Sequence, residues 1–171
     1  MSDTITLEMK KRDVTGKQVR QLRREGFIPA VVYGPPRQDA LSVMVDWPTL
    51  RPVLLKAGGT EVVHIQVGSE NIPALIHTVQ RHPVRGDVLH IDFYAVDMNV
   101  TLHTSVHVVV TDTEEYGKKM GFEVVQDATM VNIETLPGNI PHQIEIELSM
   151  LKKEGDVLTV ADLPKLDGIK Y

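Results

Sequence analysis

The chain has 171 residues, 42% hydrophobic and 24% charged, a composition that suits a globular protein with a real core and leaves room for one or two domains. It contains no cysteine, which excludes disulfides, thiolate zinc sites, iron-sulfur clusters and cysteine nucleophiles. No segment approaches the roughly 18 to 20 consecutive apolar residues of a membrane helix, and the N-terminus alternates polar with apolar residues where a signal peptide would be uniformly apolar, so a cytoplasmic location is expected.

Alternation dominates the chain from its first residues and predicts strands with one buried face. Ile5, Leu7 and Met9 form one such strand, and Leu41, Val43 and Val45 another. Between them Lys17 to Glu25 is predicted helical and ended by Gly26, with Val19 and Leu22 turned inward and Lys17, Arg20, Gln21 and Arg24 sharing the outer face, flanked by Arg23. A short strand over Ile28 to Tyr33 closes at Gly34, Pro35 and Pro36. Asp46 is placed to cap a helix over Trp47 to Lys56, which contains Pro52 and ends at Gly58 and Gly59. Strands are predicted over Glu61 to Val67, Ile72 to His82 and Val88 to Asp97, joined by a turn at Gly68 to Asn71 and a loop at Pro83 to Asp87. That set has the size and pattern of a small closed barrel.

After Asp97 the texture changes. Val100 to Val110 is predicted as one long strand, followed by a loop with a Lys118, Lys119 pair at Gly117 to Gly121, then strands over Phe122 to Gln126, Met130 to Leu136, Gln143 to Ser149 and Val157 to Val160, with a turn at Leu136 to Asn139. The division is therefore set at residues 1–97 and 98–171, a mainly β chain with a few short helices. Charge follows the same division: up to Asp97 there are 12 Lys and Arg against 11 Asp and Glu, and beyond it 6 against 12. The net charge of -5 thus conceals a basic window, Lys10 to Arg24, in which seven cations meet one acid, Asp13. Clustered cations of this kind can neutralise phosphates, although they can equally form a solubilising helix face.

Alternation sends His90, Asp92 and Tyr94 to one face of their strand and Leu89, Ile91, Phe93 and Ala95 to the other. An imidazole, a carboxylate and a phenol two residues apart can bond nucleotide edges and sugar hydroxyls, as the shallow minor groove of an RNA helix requires; the same residues can also be an ordinary solvated face. Gln80 and His82 share one side of the preceding strand, and Tyr33 stands at a strand end where it can pack on a ribose or base. A His-x-Asp metal pair has no evident third ligand, and no phosphate loop, nucleophile elbow or triad motif is present. No enzyme, cofactor or metal is expected.

Three ordered blocks carry a family resemblance: GKQVRQLRREGFIPAVVYG at Gly16 to Gly34, VQRHPVRGDVLHIDF at Val79 to Phe93, and LPGNIPHQIEIELSML at Leu136 to Leu151, continued by GDVLTVADL at Gly155 to Leu163. In these blocks, spread over nearly the whole chain, the sequence resembles the general stress protein CTC family, bacterial large-subunit ribosomal proteins that bind 5S rRNA. The resemblance implies a six-stranded N-terminal barrel docked on 5S rRNA and a β-rich second domain, with RNA contacts at Lys10, Lys17, Arg20, Arg23, Tyr33, Gln80, His90 and Asp92. The helix departs from the family pattern, because Gln18 and Val19 stand where small residues are usual and the spacing is one residue shorter.

Together these expectations describe a non-catalytic, monomeric protein of the cytoplasmic ribosome. Residues 1–97 bind 5S rRNA, and the acidic residues 98–171 touch neighbouring large-subunit proteins, since phosphate repels them. The alternatives are a protein-interaction stress factor acting off the ribosome and a metal-dependent hydrolase built on His90 and Asp92.

Overall fold

A computed structural model describes residues 5–37, 39–111, 124–148, 156–166 and 168–171. By internal contacts the chain divides into Met1–Val100 and Thr101–Tyr171.

In the first unit six strands, β1 (Ile5–Lys11), β2 (Phe27–Tyr33), β3 (Leu41–Asp46), β4 (Val63–Val67), β5 (Glu70–Arg81) and β6 (Val88–Ala95), close a barrel in the order β1-β3-β2-β6-β5-β4. Two neighbouring pairs, β1 with β4 and β2 with β6, are parallel; the other four are antiparallel. Every strand sends alternate side chains into one core, where Leu7, Val32, Val43, Ile65, Ile91 and Phe93 are fully buried. Pro29 and Pro73 interrupt strands without breaking the barrel, because the β6 ladder begins beside each of them, at Ala30 opposite Ile91 and at Ala74 opposite Ala95.

Helix α1 (Val19–Arg24) is shorter than the segment predicted from Lys17 to Glu25. Gly16–Gln18 form a 3-10 turn instead, and no side chain caps the entry to either element, so the tighter turn satisfies the first backbone groups. Val19 and Leu22 are half-buried rather than buried. Helix α2 (Trp47–Ala57) contributes Leu50, Val53 and Ala57 to the barrel core. Its cap forms as predicted: Thr49 donates its hydroxyl (2.6 Å) and its backbone N–H (3.4 Å) to Asp46 Oδ2. The hydroxyl bond first of all holds the Asp46 carboxyl below its ordinary 3.8. Asp46→Ala should therefore cost about 1 kcal/mol, read as a lower urea midpoint at neutral pH. The wild-type protein should lose the same contribution only in acid. A depressed carboxyl stabilises fully above its unfolded-state pKa, and that stabilisation goes as the pH falls through the folded value.

Gly34 ends β2 with φ at +147°, and a Cβ there would run into the backbone of Ala95. The β2–β6 approach at the barrel rim thus needs glycine. The turn between β4 and β5 is Gly68 and Ser69 alone; Glu70 and Asn71, predicted as part of it, already pair with Val67 and Gln66.

In the second unit β7 (Leu102–Thr111) pairs antiparallel with β8 (Met130–Thr135) and parallel with β9 (Gln143–Glu147). Val106, Val108, Ile133, Ile144 and Leu163 form its core. The C-terminal segment returns to β8, where Lys170 and Glu134 exchange backbone hydrogen bonds and Thr135, 1% exposed, donates its hydroxyl to Gly168 O at 2.9 Å. The strand predicted over Val157 to Val160 does not form. Thr159 and Asp162 instead make a reciprocal capping box around a 3-10 turn, Val160–Asp162, and leave Val157 78% and Val160 51% exposed. The loop predicted at Gly117 to Gly121 lies outside the described residues. So do Phe122 and Glu123 of the next predicted strand; Val124 to Gln126 are not in a strand, and Gln126 Nε2 donates to Val108 O (2.9 Å).

Candidate nucleic-acid interface

β6 sits between β2 and β5, so its outward side chains have neighbours on both flanks. Its outward row is His90, Asp92 and Tyr94, each partly exposed, while Ile91, Phe93 and Ala95 face the core. Gln80 on β5 pairs directly with His90, Thr78 with Asp92, and Tyr33 on β2 with Tyr94. His90 Nδ1 lies 2.7 Å from Asp92 Oδ1, with the side chains 22% and 25% exposed. The contact has ion-pair distance without hydrogen-bond alignment, and Nε2 is the ring's other hydrogen-bonding atom.

Beyond Asp92 the rings of Tyr33, Tyr94 and His77 cluster, with centroids 5.9 Å apart for the two tyrosines and 6.3 and 6.0 Å from each to the histidine. Burial, followed by the charges of Asp92 and Tyr94, raises the Tyr33 phenol above its ordinary 10.0. The hydroxyl therefore remains a donor throughout the physiological range.

The alternation that places this row breaks at its N-terminal end. Gln80 pairs with His90 and Arg81 with Val88, so Leu89 is the extra residue of a β-bulge. Val88 is buried in its stead, and Leu89, predicted to face inward, is half-buried. The bulge releases the Leu89 carbonyl, which accepts a hydrogen bond from Arg23 Nε at 2.9 Å. This bond, joining residues 66 apart in sequence, ties α1 to the strand immediately before His90.

Between α1 and the β5–β6 hairpin opens a cleft of about 1520 Å³. Lys17, Arg20, Arg23 and Arg24 line it from the helix side, with Arg12 on the segment before it; Arg81, Arg85 and His90 line it from the hairpin, over Ile28, Pro29 and Trp47. Seven cations thus face one cavity, and Asp87, 3.0 Å from Arg85, is the single carboxylate among its lining residues. Of the residues singled out from sequence, Lys17, Arg20, Arg23 and His90 meet in the cleft, and Gln80, Asp92 and Tyr33 continue from His90 along the sheet face. Lys10 does not join them: its ammonium stands 5.9 Å from the Phe27 ring, near enough to Asp46 to lower that carboxyl.

Arg81, Arg85 and His77 were not singled out from the sequence, and Tyr94 was placed on the polar face with His90 and Asp92 but not among the expected RNA contacts. Arg81 and Arg85 are four apart around His82 and Pro83, a cationic hairpin tip that the sequence displays openly once it is read as a tip. Among the described residues no group of three or more His, Asp or Glu side chains is arranged to hold a metal ion. His90 and Asp92 make one pair, too few ligands for the hydrolase considered above.

Fold and site together define a class, a small closed β-barrel with a cationic cleft on its outer wall. The Ribosomal L25p family model matches residues 7–93, and that for the Ribosomal protein TL5, C-terminal domain, matches residues 101–171. A relative called Large ribosomal subunit protein bL25 in Roseiflexus castenholzii is 34% identical over 170 residues, covering 99% of this chain and 78% of the relative. Its counterpart in Geobacillus kaustophilus is 36% identical over 165 residues (96% and 77%), and that in Listeria monocytogenes 34% over 161 (94% and 76%). This chain belongs to the Ribosomal L25p family.

Proposed function

We propose that the chain is a non-catalytic structural protein of the bacterial large ribosomal subunit, in the cytoplasm, and that its barrel binds 5S rRNA. Family membership supports the ribosomal role, and the relatives carry large-subunit names. The observation that carries RNA binding is the tie between Arg23 and Leu89, which holds a cationic helix against the polar row beginning at His90. Phosphate contacts from Lys17, Arg20 and Arg23 set the register of the RNA backbone, with Lys10 a peripheral contact. His90 Nε2, the Asp92 carboxylate and Gln80 read edges in a wide, shallow minor groove, while Tyr33 offers a hydroxyl and a ring edge to a ribose.

The second unit, with 6 Lys and Arg against 12 Asp and Glu from Thr101 on, is repelled by phosphate and faces neighbouring large-subunit proteins in this reading. The protein acts as a monomer within the ribosome.

Binding of 5S rRNA measured across a salt series tests the reading. Arg23→Ala should weaken binding and lower the slope of log affinity against log salt by about one. Asp92→Ala should leave that slope alone and narrow the gap between 5S rRNA and an unrelated duplex RNA, by roughly 10-fold if one good edge contact is lost. An unchanged slope for Arg23→Ala would remove the helix from the interface. Co-sedimentation with the large subunit separates this role from that of a stress factor acting off the ribosome.

A further inference from the structure

The loop joining β5 to β6, residues 82–87, is more ordered than a connector needs to be. Its main chain closes twice, through His82 N–H to Asp87 O (2.7 Å) and Gly86 N–H to His82 O (2.9 Å). Within that ring His82 Nδ1 accepts from the amides of Val84 (3.2 Å) and Arg85 (3.3 Å). The imidazole thereby does what an Asp or Asn side chain does in an Asx turn, holding the amides two and three residues ahead. A nitrogen accepting two N–H groups carries no proton, so the ring's proton sits on Nε2.

This turn places charge. Arg81 closes β5 at its base and Arg85 stands within it, both exposed and both lining the cleft that α1 lines from its other side. The Arg85–Asp87 ion pair is 66% and 61% exposed, so water screens it and it competes weakly with a phosphate for the guanidinium. An arginine on a loose hairpin tip would have to be ordered on binding, whereas one on a prebuilt turn has less entropy to lose.

We propose that the β5–β6 loop is a second phosphate-binding arm of the cleft, with Arg81 and Arg85 as its contacts and His82 as the positioning residue that holds the arm in shape. The proposal rests on the RNA-binding reading and extends it: α1 grips the sugar-phosphate backbone from the helix side of the cleft and the hairpin from the other.

The test is the salt dependence of 5S rRNA binding by the full chain. Arg81→Ala with Arg85→Ala should lower the slope of log affinity against log salt by about two. His82→Ala should lower it by about one, because Arg85 loses its support. His82→Asn should restore it, since an asparagine Oδ1 can accept the same two amides. Thermal melting of all three variants should stay close to wild type, as the loop lies outside the core. An unchanged slope in the double arginine variant overturns the arm, and a His82→Asn slope as low as that of His82→Ala overturns the positioning role. In both cases wild-type affinity would remain. A wild-type chain without affinity for 5S rRNA would instead bring down the RNA reading and this proposal with it.

Discussion

Replacing Phe93 with alanine should lower the unfolding free energy by about 3–5 kcal/mol, the range for a fully buried phenylalanine whose cavity cannot collapse. Phe93 is the largest fully buried side chain among the described residues. It stands on β6 opposite Val32 of β2 and Ile76 of β5, so its ring packs against both flanks of the strand that carries His90 and Asp92. Neither flank can move inward to fill the gap without disturbing the barrel's registers. For a unit of about this size each kcal/mol corresponds to roughly 4–8 °C, so the barrel transition should fall by more than about 12 °C in a thermal melt. A loss under about 1 kcal/mol would mean that the interior is not packed as described.

The largest effect on binding should come from charge reversal in α1. Arg20→Glu combined with Arg23→Glu should reduce affinity for 5S rRNA by roughly 100-fold or more at moderate salt, because each change replaces an attraction to phosphate by a repulsion. The helix itself should tolerate both, since Arg20 and Arg23 are exposed and contribute nothing to the core. Arg23→Glu also removes the donor to Leu89 O and so loosens α1 from the bulge. Lys10→Glu offers the comparison: a single reversal outside the cleft should cost far less. A loss in log affinity from Lys10→Glu about half that of the double variant, an equal loss per reversed charge, would show that total charge, and not the cleft, governs binding.

Strand positions were legible in the sequence because a half-buried strand must alternate, and Ile5 to Met9, Leu41 to Val45 and Ile91 to Ala95 do so with little interruption. Which strand adjoins which was not legible from alternation. The parallel pairs β1–β4 and β2–β6 bring segments distant in sequence together through ladders that local alternation does not encode, and only the family resemblance anticipated a six-stranded closure. The Leu89 bulge defeated periodicity for a physical reason. One inserted residue exchanges inside and outside, so the pattern assigned Leu89 to the core where Val88 belongs. The misread segment at Val157 to Val160 held its own correction, because Thr159 and Asp162 have the spacing of a capping box and satisfy backbone groups that a strand would need to pair.

The cationic helix was legible from composition once the chain was divided, whereas Arg85 was passed over because Pro83 and Gly86 marked its segment as a plain loop, and Arg81 because it fell within the predicted strand Ile72 to His82. Lys10 shows the converse. It belongs to the basic window in sequence, yet alternation along β1 and its pairing with Met44 put it beside Phe27, apart from the residues lining the cleft.

The claim on which everything functional depends is that helix cations and the β6 row form one RNA-binding patch. Backbone amide chemical shifts of the full chain, followed by NMR as 5S rRNA or its isolated binding stem is added, test it most directly. The account predicts perturbations concentrated in residues 17–26, 80–92 and around Tyr33, with β4 and the second unit little changed. Perturbations concentrated on β1 and β4, or within residues 101–171, with α1 and His90 unaffected, would contradict it.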